Sequence, residues 1–169
     1  MFVNKESVMI VYPVRTGNPK SLGLYERNNG VFTLTNDTSF VNNKLYFVAM
    51  SQFLVEVKYG YHKLWGPDSG RNLAGKQTGT LVGIFPKLTM KFRGLYQNEV
   101  NFLQPILDNA VQTIVYYDPK AKGNIQIDTY SGDYEIIDKY FVNNDSCKNE
   151  PFDCAFISIE KRPTVLWEF

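Results

Sequence analysis

Four groups of residues have the types and spacing from which chemistry is built. The first is GRNLAGKQTG, residues 70–79: a glycine, four residues, then Gly75 and Lys76. It falls one residue short of a phosphate-cradling loop. Such a loop follows a buried strand, opens a helix, and needs Ser or Thr directly after the lysine to hold Mg²⁺. Here Gln77 stands in the hydroxyl's place and Thr78 comes one residue late. Gly66 and Pro67 end any strand early, while Gly79, Gly83 and the β-branched residues around them oppose a helix. The stretch therefore reads as a glycine-rich connection between strands, and no nucleotide or other cofactor is expected.

The second group is His62, the single histidine, in KYGYHKLWG beside Tyr59, Tyr61 and Trp65. One histidine removes most Ser-His, Cys-His and multi-histidine metal arrangements, so a surface or interface role is expected. The third is Asp118, Asp128 and Asp133, a conceivable carboxylate cluster for a metal or for glycoside hydrolysis. Asp118 and Asp133 sit in Asp-Pro and Ser-Gly-Asp turns, where aspartate bonds its own backbone, and Asp128 falls on the polar face of an alternating strand. The fourth is Cys147 and Cys154, too few for a disulfide framework and without the further ligands a zinc site needs. No enzyme is expected.

The elements that would carry these residues are mostly strands. In KLTMKFR, residues 87–93, Leu88, Met90 and Phe92 alternate with Lys87, Thr89, Lys91 and Arg93, the period-2 signature of a half-buried strand. Lys87, Lys91 and Arg93 then form a basic face, read as solvated or inter-subunit. VMIVYPV, GVFTLT, KLYFVAM, FLVEVKY and CAFISIEKR read as further strands, and QTIVYYDPKAKGNIQIDTY as a hairpin turning at Asp118, Pro119 and Gly123. In NEVNFLQPILDNAV, Val100, Leu103, Ile106, Leu107 and Val111 recur at helical spacing, which predicts one short helix over about 98–111. Pro105 argues for a late start, with Asn101 as N-cap. Seven to nine short strands and one helix point to a mainly β sandwich or split barrel with a packed helix. Residues 1–169 read as a single domain, with 1–50 as extra strands or an arm, 51–162 as the core and 163–169 as an apolar tail.

A chain of 169 residues buries about two-thirds of its unfolded surface without metals or disulfides. A net charge of +1 gives no global field for nucleic acid or for a basic partner. The N-terminal stretch is broken by Lys5, Glu6 and Ser7, and no run approaches a membrane span, so neither a signal peptide nor membrane insertion is expected. Twenty-five aromatic residues (11 Tyr, 12 Phe, 2 Trp) suit strands and extensive interfaces.

The order of motifs over residues 64–162 resembles small tail structural proteins of tailed bacteriophages and prophages. The parts are WGPDSGRNLAGKQTG, FPKLTMKFRGL, NEVNFLQPILDNA, VYYDPKAKGNIQIDTYSGD and the ending ISIEKRP. Tyr117-Asp118-Pro119 coupled to Tyr130-Ser131-Gly132-Asp133 is the most specific of them. The resemblance implies a tail-tube-like fold and a homo-oligomer, a hexameric ring in the tail tube or distal baseplate. Such a ring surrounds a lumen that passes DNA, contacts other tail and baseplate proteins, and is found in the virion tail after assembly in the host cytoplasm. It also implies that GRNLAGKQTG reaches a neighbouring ring. Subunit contacts are expected at Trp65, Arg71, Asn72, Lys76, Val165, Leu166, Trp167 and Phe169. A carbohydrate- or ligand-binding β-sandwich that uses its exposed Tyr and Trp is the alternative.

Overall fold

The computed structural model describes residues 8–67, 70–71, 73–79, 81–120, 122–138 and 149–161. The molecule is mainly β with one helix. Its strands, in chain order, are β1 (Val8–Val11), β2 (Tyr25–Asn28), β3 (Val31–Leu34), β4 (Phe47–Ala49), β5 (Leu54–Trp65), β6 (Gly70–Arg71), β7 (Gln77–Thr78), β8 (Leu81–Phe92), β9 (Gln112–Asp118), β10 (Gly123–Ser131) and β11 (Phe152–Ser158). Nine of them form one antiparallel sheet in the order β3-β2-β4-β1-β9-β10-β11-β8-β5.

VMIV is apolar throughout because β1 is covered on both faces. It lies between β4 and β9, with Met9 opposite Ala49 on one side and Val115 on the other. Val8 and Ile10 enter the main core, while Met9 packs with Phe32, Phe47, Ala49 and Val115 on the opposite face. The β2–β3 hairpin closes that second face: Phe32 meets Phe47 edge-on at 5.0 Å, and Arg27 donates to the Gln126 side chain of β10 at 2.9 Å.

The main face rolls around a core of Leu88, Met90, Phe92, Ile114, Tyr116, Ile125, Phe156 and the buried side of the helix. β5 and β9 are separated by three strands in the sheet, yet Tyr59 and Tyr116 stack with ring centroids 5.9 Å apart. The right-handed twist of strands, accumulated across the sheet, brings its β5 edge back over β9.

The helix α1 spans Gln97–Leu107, with Leu103, Ile106 and Leu107 buried. It starts earlier and ends earlier than the 98–111 periodicity predicts, and Asn101 is not its N-cap. Glu99, in the first turn, accepts the backbone N–H of Tyr96 at 3.1 Å and so caps the helix, while Asn101 lies inside it and accepts from the Gln97 side chain. Pro105 falls in the last turn, where the bond it removes is that of the solvent-exposed Asn101 carbonyl. The C-terminal carbonyls are held by a buried polar group: Gln112 Nε2 donates to Ile106 O at 3.2 Å and Asn109 O at 2.7 Å, and Ser131 Oγ donates to Leu107 O at 3.1 Å. Among the described residues, no helix is long and apolar enough to cross a membrane.

Candidate functional site

β5 and β8 are each twelve residues long and pair along their whole length. Among the described residues β11 pairs with Lys87–Phe92 of β8, and beyond the Gly60–Lys87 pair β5 and β8 run on as a two-stranded ribbon, with the Lys161 side chain lying against Gly83. Pro86, opposite Tyr61, sits just past that boundary, where a strand tolerates a missing donor. The ribbon's base is fixed to the β9–β10 turn. Tyr61 donates its hydroxyl to Asp118 Oδ1, which also accepts Lys120 N at 3.0 Å, and the Lys120 ammonium lies 4.8 Å from the Tyr61 ring centre. Asp118 is thus the turn residue its sequence context predicts, and in addition a buried anchor between two distant strands.

At the far end, GRNLAGKQTG folds as a hairpin. Gly70 pairs with Thr78 and Arg71 with Gln77 as β6 and β7, Gly75 turns at a φ of +79°, and Arg71 Nη1 donates to Gly75 O at 2.9 Å. A phosphate loop would need a helix after Lys76, and a strand stands there instead. The ribbon also carries apolar groups into solvent: Leu64, Trp65, Leu81 and, wholly exposed, Leu73. Of the predicted contact residues, Trp65, Arg71 and Lys76 come together on this projection and are exposed. Asn72, Val165, Leu166, Trp167 and Phe169 lie outside the described residues, as does Cys147.

On one face of the ribbon and its root stand Lys58, Lys87, Lys91 and His62, at alternating positions of two paired strands. Arg93, expected to continue that face, does not. It turns to Glu99, with Nη2–Oε2 at 2.5 Å, and donates to the Gln52 and Gly94 carbonyls. Residues 54–92 hold six of the eighteen Lys and Arg and two of the seventeen Asp and Glu, so this segment carries +4 and the remainder of the chain −3. The overall +1 conceals that partition.

The carboxylates do not converge. Asp118 is buried at the end of β9, opposite Gly123, whereas Asp128 is exposed five residues further along β10, roughly 17 Å away at strand rise. Asp128 accepts from Thr113 Oγ1 at 2.7 Å. Among the described residues no cluster of three metal-ligating side chains forms. Cys154 is a free thiol in the core, and burial pushes it up to about 12, so it is no nucleophile at neutral pH.

Asp133 instead lines an open cleft of about 520 Å³ with Lys91, Glu135, Ile137 and Asp153. The cleft adjoins an apolar pocket of about 220 Å³ between α1 and Ile136, lined by Val100, Leu103 and Leu107; Tyr134 and Phe152 belong to both. Tyr134 donates to Asp108 Oδ1 at 2.5 Å, and burial together with that carboxylate pushes its hydroxyl up to about 12.

One further titratable cluster braces the first fifty residues. Lys44 Nζ lies 2.7 Å from both Glu26 Oε2 and Asp37 Oδ2, and Tyr46 donates to the same Asp37 oxygen at 2.6 Å. The Lys44 hydrogen bond is the main force lowering both carboxylates, and the two carboxylates raise Lys44. A depressed carboxylate stabilises the fold above its unfolded pKa, and that contribution is lost as pH falls through the folded one. A raised lysine stabilises below about pH 10.4 and loses its contribution as pH rises further. Lys44→Met should therefore lower the thermal midpoint most between about pH 5 and pH 10, and melts at pH 7 and pH 3 should converge on wild type at the acid end. A deficit that stays constant down to pH 3 would show that lost packing, and not charge, accounts for the effect.

No protein-family model matches this chain, and neither a curated protein nor a solved structure does. The projecting ribbon with its open edge and the cleft beside α1 are therefore the features on which a functional reading must stand.

Proposed function

We propose that this chain is a structural, ring-forming subunit of a bacteriophage tail, in the tube or the distal baseplate, acting by self-assembly and without covalent chemistry. The observation that carries this reading is β5. It is a twelve-residue strand that stands at the edge of the sheet among the described residues, and it continues into a ribbon that projects apolar side chains. Exposed edges of that length template pairing with another chain, and monomeric proteins commonly blunt them with short strands, bulges or charges. Here Glu56, Lys58 and Lys63 supply charge and the register shifts at Leu54/Glu56 and Leu64/Trp65 interrupt the ladder, yet Val55, Leu64 and Trp65 stand exposed along it. Joining β5 of one copy to a neighbour's sheet would continue the antiparallel ladder, and a heterologous contact of this kind closes into a ring when its rotation permits. The sixfold order, the DNA-filled lumen and the neighbouring tail proteins come from the motif resemblance over residues 64–162.

Light scattering across a concentration series, with negative-stain imaging, tests the reading. Rings or short tubes with a mass several times the 19.4 kDa of the chain are the expected result. A species that stays monomeric at high concentration, also with the other tail proteins present, would remove it.

A further inference from the structure

The charge partition and the long ribbon together specify a second contact, one that rests on the assembly reading. The hairpin tip presents Arg71 and Lys76 around the wholly exposed Leu73. The cleft is largely the reverse: an apolar floor of Leu103, Leu107, Tyr134 and Phe152, rimmed by the exposed carboxylates Asp133, Glu135 and Asp153 against the single cation Lys91, which faces Asp153. The two cannot meet within one molecule. Phe152, in the cleft wall, pairs with Phe92, which pairs with Leu54 at the ribbon's root. The tip lies beyond Trp65, eleven residues along, roughly 35 Å away at strand rise. We infer that the cleft beside α1 receives the hairpin tip of a second copy, with Leu73 in the apolar pocket and Arg71 and Lys76 against the acidic rim. A tip at one end of the ribbon and a receptor beside its root make a head-to-tail contact, which propagates into a stack or a closed ring. Nucleic acid fits the ribbon less well. Tyr59 and Tyr61, the aromatics between its lysines, are engaged with Tyr116 and Asp118, which leaves Trp65 to offer an exposed ring, short of the series of stacking faces a single strand needs.

Charge reversal with rescue tests this on the full chain by sedimentation velocity. Arg71→Glu with Lys76→Glu, and separately Asp133→Lys with Glu135→Lys, should each weaken association about tenfold or more. The fourfold variant, which restores opposite charges, should recover most of it. All four positions are exposed, so circular dichroism should show wild-type folding in each variant. Wild-type association in the Asp133/Glu135 variant overturns the docking while leaving the assembly reading in place. A wild-type chain that never associates overturns both. Binding of a fluorescent DNA duplex, abolished by the tip variant with self-association unchanged, would overturn the docking in favour of nucleic acid.

Discussion

Replacing Phe92 by alanine should destabilise the fold by about 4 kcal/mol, the largest loss expected from a single truncation here. Phe92 is fully buried at the end of β8, where it pairs with Phe152 on one side and Leu54 on the other. Its ring stacks on Phe152 with centroids 4.8 Å apart and planes 11° from parallel. Truncation removes that stacking and the buried area of the ring. It also opens a cavity that the flanking strands cannot close without breaking ladder bonds on both sides. A domain is stable by about 5–15 kcal/mol, so about a quarter or more of the total is at stake. Urea unfolding at fixed protein concentration should show a lower midpoint with an unchanged slope. Leu73→Ala, at the exposed hairpin tip, should move the midpoint by less than about 0.5 kcal/mol equivalent. A Phe92→Ala loss below about 1.5 kcal/mol would mean that β8 is not held at this end as described.

How much of this was legible in the sequence depends on which force set each element. KLTMKFR could be read because Leu88, Met90 and Phe92 bury against one core while the residues between them do not. The ribbon beyond it could not, since Tyr61–Trp65 and Leu81–Phe85 leave the core, and there pairing of the two strands, with the Tyr61–Asp118 bond at the base, holds them extended. The helix was legible from its apolar stripe and, to within a residue, at its start, but its cap and its end were misplaced. Pro105 suggested a late start, whereas a proline in the last turn costs only the bond to an exposed carbonyl. The true start is marked by Glu99, and the true end by Gln112, a buried glutamine opening a strand that no local pattern distinguishes from an exposed one. Exclusion of a phosphate loop was legible in Gln77 and the glycines that follow. The cleft was not, because Asp133 and Phe152 are brought together only by the register of β11 on β8 and β10.

That register also places the second large effect. Glu99→Ala should cost about 2–3 kcal/mol, from two roles that one carboxylate fills at once. Through Oε1 it accepts the Tyr96 backbone N–H at 3.1 Å and an Arg93 contact at 3.2 Å, and through Oε2 it holds Arg93 Nη2 at 2.5 Å. The side chains of Glu99 and Arg93 are 17 % and 33 % exposed, so the pair is worth more than a free surface bridge and less than a buried one. Arg93 is itself a junction. Its backbone N–H bonds Phe53 O at 3.0 Å, and its Nε bonds Gln52 O at 3.0 Å. Losing Glu99 therefore loosens the start of α1 from the turn that leads into β5, the root of the ribbon. Glu99→Gln separates the two roles: its amide oxygen can still cap Tyr96 but cannot pair with the guanidinium as an ion. It should recover about 1 kcal/mol of the loss suffered by alanine. Denaturation of both variants in low and high salt provides the check. Salt should narrow the gap between wild type and Glu99→Gln and leave the gap between the two variants unchanged. If Glu99→Gln proves as unstable as Glu99→Ala, the cap contributes nothing and the ion pair alone joins the helix to the ribbon's root.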